Sequence, residues 1–182
     1  MTTADKFRDH LLAAIPGLRA FGMSLAARPD RADDLVQETL MKAWKHRESF
    51  EAGTNLKAWL YTILRNEFYS QLRKRRREVE DADGAYSSKV ATPGEQESYL
   101  DMADMRTALA QLPDDQREAI TLVGALGFSY QEAAEICGAA VGTMKSRVSR
   151  AREKLAILLS HDQVPSAKIG DARDQACSPP KM

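Results

Sequence analysis

The sequence predicts an all-α protein of two small helical domains joined by a flexible linker, and three observations carry that expectation. Apolar residues recur at spacings of three and four along most of the chain. No β-branched run alternates with the two-residue period of a strand. From Glu78 to Ser98 the composition turns to Glu, Asp, Gly, Ser and Pro, with too little apolar content to offset the entropy of ordering. The expected domains are residues 1–77 and 99–160, with 78–98 as an acidic linker and 161–182 as a disordered tail. Only 7% of the 182 residues are aromatic, so neither core can be large.

Taken in order, Leu11, Leu12 and Ile15 predict a first short helix ending at Pro16, which suits the opening turn of a second carrying Leu18, Phe21 and Leu25. Pro29-Asp30 breaks the chain. Asp30 and Asp33 resemble a capped start for a helix from Arg31 to about Arg47. Gly53-Thr54-Asn55 forms a turn with Asn55 as cap, and a longer helix follows from Leu56 to about Arg76. The second domain opens near Tyr99, breaks at Pro113 and continues from Asp114 to about Leu126.

Ser129-Tyr130-Gln131-Glu132 spells a capping box. The helix it starts stops at Gly138, suited to a left-handed end, and a turn of about three residues leads into another helix, as in a DNA-binding helix-turn-helix. There Met144, Val148, Ala151, Leu155 and Leu158 step by four and three into one buried stripe. Gly142, Lys145, Ser146, Ser149, Arg150 and Glu153 project outward, with Thr143, Arg147 and Arg152 on the flanks. Short residues allow close approach to a groove, and the cations reach phosphates or guanine edges. A basic face alone is usually a solvated surface; joined to the cap and the short turn it points to DNA.

Lys plus Arg and Asp plus Glu both number 26, so the net charge is zero, but its distribution is uneven. Arg73 to Arg77 and Lys145 to Lys154 are basic, and the segment between is mostly acidic. Cys137 and Cys177 have no metal-ligand spacing and no secretory context, which fits a reduced cytoplasm. With neither a signal peptide nor a stretch of about 18 apolar residues, no membrane association is expected. His10, His46 and His161 sit on unrelated segments, so no catalytic constellation, metal site or cofactor is expected.

On the Arg31 to Arg47 helix, Ala32, Leu35, Val36, Thr39, Leu40 and Ala43 form the inner stripe and Asp34, Gln37, Glu38 and Met41 the outer one. The string Asp33-Asp34-Leu35-Val36-Gln37-Glu38-Thr39 to Ala43-Trp44, followed by Leu56-Lys57-Ala58-Trp59-Leu60-Tyr61-Thr62-Ile63, resembles the sigma factor family of bacterial RNA polymerase. Val141-Gly142-Thr143-Met144-Lys145-Ser146-Arg147 to Arg150-Ala151-Arg152 resembles its second-domain signature. The likeness runs from about residue 8 to 160 and is greatest to the extracytoplasmic-function group, which keeps the two domains that read the two promoter elements.

The resemblance implies a non-enzymatic promoter-recognition subunit whose partners are core RNA polymerase and promoter DNA. It implies that Asp34, Gln37, Glu38 and Met41 dock on the largest polymerase subunit. It gives Gly53, Thr54, Asn55, Trp59 and Asn66 the task of separating strands and holding an extruded base, although a tryptophan such as Trp59 is more often core. Lys57, Arg65, Arg73, Lys74 and Arg75 are expected on phosphates, because base flipping costs a few kcal/mol while backbone contacts hold the opened strand. Arg76 and Arg77 serve equally well as a solubilising helix end. The Gly-Thr-Asn-Leu loop resembles the general-stress-response group, which implies a small anti-sigma protein as a further partner. A stand-alone helix-turn-helix regulator is the alternative; it explains Ser129 to Leu159 and leaves the first domain without a task.

Overall fold

Leu11, Leu18, Phe21 and Leu25 lie seven, three and four residues apart, a spacing that keeps them on one side of a continuous helix. All four are buried. In the computed structural model, which describes residues 3–51, 53–80 and 97–161, they belong to a single helix α1, Thr3–Ala26, with Pro16 inside it. This corrects the expected break. A mid-helix proline costs about 3 kcal/mol, whereas each of four buried large side chains contributes about 1.5–3 kcal/mol. Pro16 itself faces solvent. Ala27, at φ 55°, ends the helix with its amide on the Met23 carbonyl.

Helix α2 spans Pro29–Lys45, and Ala32, Leu35, Val36, Thr39 and Ala43 are its buried residues. The expected aspartate cap is absent. Arg28 holds the N-cap position but its side chain makes no capping bond, and Pro29 opens the helix. Asp30 and Asp33 instead pair with Arg28 and Arg19, each at 2.6 Å. After a 3-10 turn, Arg47–Ser49, helix α3 runs from Leu56 to Glu80, beyond the expected end near Arg76. Glutamate is a good helix former, so Glu78 and Glu80 do not stop a helix even where apolar residues run out.

Helix α4, Glu97–Ala110, precedes α5, Asp114–Ile120, and Pro113 separates them. A π turn over Thr121–Ala125 extends α5, marked by the Leu126 amide on the Thr121 carbonyl at 3.0 Å. Helices α6, Tyr130–Cys137, and α7, Val141–His161, complete the fold. No strand occurs among the described residues. The expected linker core, 81–96, and the tail from 162 onward lie outside them.

The two halves pack against each other. One apolar cluster runs from Leu18, Phe21, Leu60 and Leu64 to Leu122, Phe128, Ile136 and Met144. Tyr61 joins the halves, with its ring 5.4 Å from Phe21 and 4.9 Å from Phe128. A second cluster, Ala108, Leu112, Ala151 and Leu155, pins α4 to α7.

Candidate nucleic-acid interface and polymerase-binding face

The helix-turn-helix is built by local chemistry. The Ser129 hydroxyl accepts from the Glu132 amide at 3.2 Å, and the Glu132 carboxylate accepts from the Ser129 amide at 2.8 Å. At its other end α6 stops on Gly138, φ 60° and ψ 40°, with the Ala139 amide returning to the Ala134 carbonyl. Met144, Val148, Ala151 and Leu155 then anchor α7, each buried.

That anchoring turns Gly142, Thr143, Lys145, Ser149 and Arg150 outward, all exposed. A Cβ added at Gly142 meets nothing within 4 Å, so the start of α7 is open to a groove. Ser146 and Arg147 are half-buried. Ser146 donates to the Thr143 carbonyl at 2.8 Å and Ser149 to Glu153 at 3.1 Å. Arg147 pairs with Asp115 on α5 at 3.1 Å, so this guanidinium is held from behind while Lys145 and Arg150 extend to solvent.

On α2, Asp34, Gln37, Glu38 and Met41 are exposed, opposite the buried stripe. Glu38 also borders a polar groove with Lys74 and Arg75 of α3. Beside Met41 lies an apolar groove lined by Arg8, Leu11, Leu12, Leu40 and Trp44. Leu12, Met41 and Trp44 are 56%, 59% and 43% exposed, a patch that extends the face beyond the residues expected from sequence. Its signal was the spacing of Met41 and Trp44, one turn apart on α2.

The loop before α3 turns at Gly53, φ 100°, and Thr54 closes it by donating to the Glu51 carbonyl at 2.8 Å. Asn55 caps α3, accepting from the Ala58 amide at 3.1 Å. Its amide nitrogen also donates to Glu132 of α6 at 2.6 Å. Lys57 donates to the Leu126 carbonyl at 2.9 Å and lies 4.5 Å from the centre of the Phe128 ring. Trp59 is half-buried and packs on Phe50 at 5.3 Å. Asn66, Arg73, Lys74 and Arg75 are exposed on the length of α3.

Arg65 occupies a different setting from the open phosphate contact expected of it. It donates to Glu118 of α5 at 2.6 Å and stacks 4.7 Å from the Tyr69 ring centre. Glu118 is 1% exposed. Burial pushes its carboxyl pKa up, against the opposing pull of Arg65. Burial also works against the Arg65 charge, but the Glu118 charge and hydrogen bond outweigh it and the Arg65 pKa is raised. The neighbouring Cys137 thiol is pushed up to about 12 by burial. Asn55, Lys57 and Arg65 are therefore all engaged by the second domain in this arrangement.

Residues 12–78 match the Sigma-70 region 2 family and residues 102–155 the Sigma-70 region 4 family. The chain is 59% identical over 162 residues to the ECF RNA polymerase sigma factor EcfG of Rhodopseudomonas palustris (strain TIE-1), covering 89% of this chain and 90% of that one. The chain belongs to the ECF sigma factors. Such a sigma factor is a non-enzymatic subunit that binds core RNA polymerase and directs initiation at specific promoters. The region 2 match rules against a stand-alone helix-turn-helix regulator, because it accounts for the first domain. This sigma factor is also 37% identical over 126 residues to SigC of Mycobacterium tuberculosis, with 68% of each chain covered. Among solved structures it is similar to the sigma factor RpoE from Bartonella quintana, crystallised with the anti-sigma factor NepR, at TM-score 0.78 and 59% identity, with 87% of this chain and 99% of that chain covered. CnrH, solved with the cytosolic domain of CnrY, matches at TM-score 0.59 and 28% identity over 87% and 88% of the two chains. No helix among the described residues is long and apolar enough to cross a membrane.

Proposed function

We propose that this sigma factor drives a stress-response programme in the cytoplasm and is held in reserve by a small anti-sigma protein. The observation that carries the reading is the 59% identity to a sigma factor solved in complex with its anti-sigma factor, over 99% of that chain. In this reading the exposed α2 residues Asp34, Gln37, Glu38 and Met41 dock on core polymerase, and the adjoining apolar groove adds area to the contact. Gly142, Thr143, Lys145, Ser146, Arg147, Ser149 and Arg150 read the upstream promoter element. The exposed guanidinium of Arg150 suits a guanine edge, whereas Arg147, drawn back to Asp115, suits a phosphate.

Downstream, Thr54, Asn55, Trp59 and Asn66 engage the opened strand while Lys57, Arg65, Arg73, Lys74 and Arg75 hold its backbone. The 16 residues between α3 and α4 let the domains reach both elements, since they can extend to roughly 53 Å at about 3.3 Å each and the domains' own dimensions add to that span. Tagged full-length protein recovered from unstressed and stressed cells of its own host tests the reading. A small protein should co-purify before stress and give way to core polymerase after it. Recovery of core polymerase in both conditions with no small protein in either refutes the anti-sigma reading.

A further inference from the structure

Two aspartates open α5, and the fold divides them between two arginines. Asp114 pairs with Arg117 on its own helix, whereas Asp115 reaches Arg147 of α7, with Nε and Oδ2 3.1 Å apart. Packing sets this contact. Ala119 of α5 and Leu122 of the π turn share one core with Met144 and Val148 of α7, and Arg147 stands between those two in the chain, on the flank that meets α5. The Arg147 charge also favours the ionised form of Glu118, one turn beyond Asp115, although Glu118 is itself bonded to Arg65. The Arg147 and Asp115 side chains are 25% and 49% exposed, so the pair lies at the protein surface. Thr143 and Arg150, four residues before and three after Arg147, are its neighbours on the helix surface, and both are exposed on the face given to DNA.

We infer that Asp115 is a positioning residue for the upstream contact: it holds the Arg147 guanidinium at one place on the flank of the reading helix, so that Arg147 meets a backbone phosphate only when Lys145, Ser149 and Arg150 stand in register over the bases. The inference rests on the reading of α7 given above. An arginine side chain has many rotamers, and an untethered one reaches whichever phosphate is nearest on any duplex. Tied from behind, it retains terminal N–H donors for a phosphate while losing most of its sweep. The carboxylate also repels DNA, because its charge lies within a Debye length of the same backbone. That repulsion falls on every sequence alike, whereas the fixed guanidinium helps only a duplex that docks in one register. Asp115 therefore weakens binding in general and sharpens the choice among sequences.

The test uses the full-length chain and two labelled duplexes: one that wild type selects from a random pool, and a shuffled duplex of the same length and composition. Fluorescence anisotropy over a range of salt gives the affinity for each and hence their ratio. Asp115→Asn keeps the shape and removes the charge. It should tighten binding to the shuffled duplex about threefold and lower the ratio about fivefold. Asp115→Glu restores a carboxylate and should recover most of the ratio. Arg147→Ala should reduce the salt slope by about one on the selected duplex, and in its presence Asp115→Asn should no longer change the ratio. Thermal melts check that each variant is folded, and Asp115→Ser replaces Asp115→Asn if the latter is not. An unchanged ratio in the neutral variant overturns the inference, as does an equal fall with and without Arg147, which is the mark of a bare charge effect. A wild type that selects no duplex from the pool overturns the reading of α7 itself, a different failure seen before any variant is made.

Discussion

Reversing the charge of the α2 outer face, Asp34→Lys with Glu38→Lys, separates binding from folding. Both side chains are exposed on a helix whose buried residues lie opposite. Asp34 and Glu38 are four apart, so the like-charge repulsion between them is exchanged for a similar one between lysines. Glu38 also stands four before Lys42 and borders the groove of Lys74 and Arg75. Losing the attraction to Lys42 and gaining repulsion costs about 0.2–0.5 kcal/mol for each change. The total stays below about 1 kcal/mol, which lowers the melting temperature by about 2–4 °C at this chain length. Against a basic patch on polymerase, like-charge juxtaposition costs several kcal/mol. About 3 kcal/mol is roughly a hundredfold or more in affinity. Fluorescence anisotropy of labelled protein titrated with core polymerase, beside a thermal melt, measures both quantities. Unchanged affinity refutes the assignment of this face, and a collapse in melting temperature refutes the claim that it contributes little to folding.

Removing Arg150 by Arg150→Ala should cost about 1–3 kcal/mol at the upstream element and relax base preference at one position, seen by quantitative footprinting, whereas Lys145→Ala should mainly reduce the salt dependence of binding. Ser129→Ala removes the hydroxyl acceptor of the Glu132 amide and should lower stability by about 1 kcal/mol in denaturant melts. The Ser129 amide and hydroxyl hold the Glu132 carboxyl below its ordinary range, so its contribution is present above that range and lost as pH falls through the lowered folded value; the Ser129 variant should show a weaker acid dependence. Met144→Ala, at a fully buried site that anchors the reading helix, should cost about 2–5 kcal/mol and weaken upstream binding in proportion to the unfolded fraction.

The features that sequence reasoning reached are those made by residues near one another in the chain. The Ser129–Glu132 box, the left-handed Gly138 and the Met144 to Leu155 stripe each depend on contacts within a turn or two, where spacing alone dictates who meets whom. The outward face of α2 was legible for the same reason. Pro16 was misjudged because the rule for proline is local, while the burial of Leu18, Phe21 and Leu25 that overrides it is tertiary. Asp30 and Asp33 read as a cap until the structure supplied Arg28 and Arg19 as partners.

Sequence by itself determined the helical class, the two domains and the orientation of the reading helix, since periodicity and capping act over three or four residues. Only the tertiary structure decided the state of Arg65, Asn55 and Lys57. Their partners Glu118, Glu132 and Leu126 lie 53, 77 and 69 residues further along the chain. A lone arginine on a helix gives no sign of whether a phosphate or a buried carboxylate will meet it, because that depends on which helix the fold brings opposite.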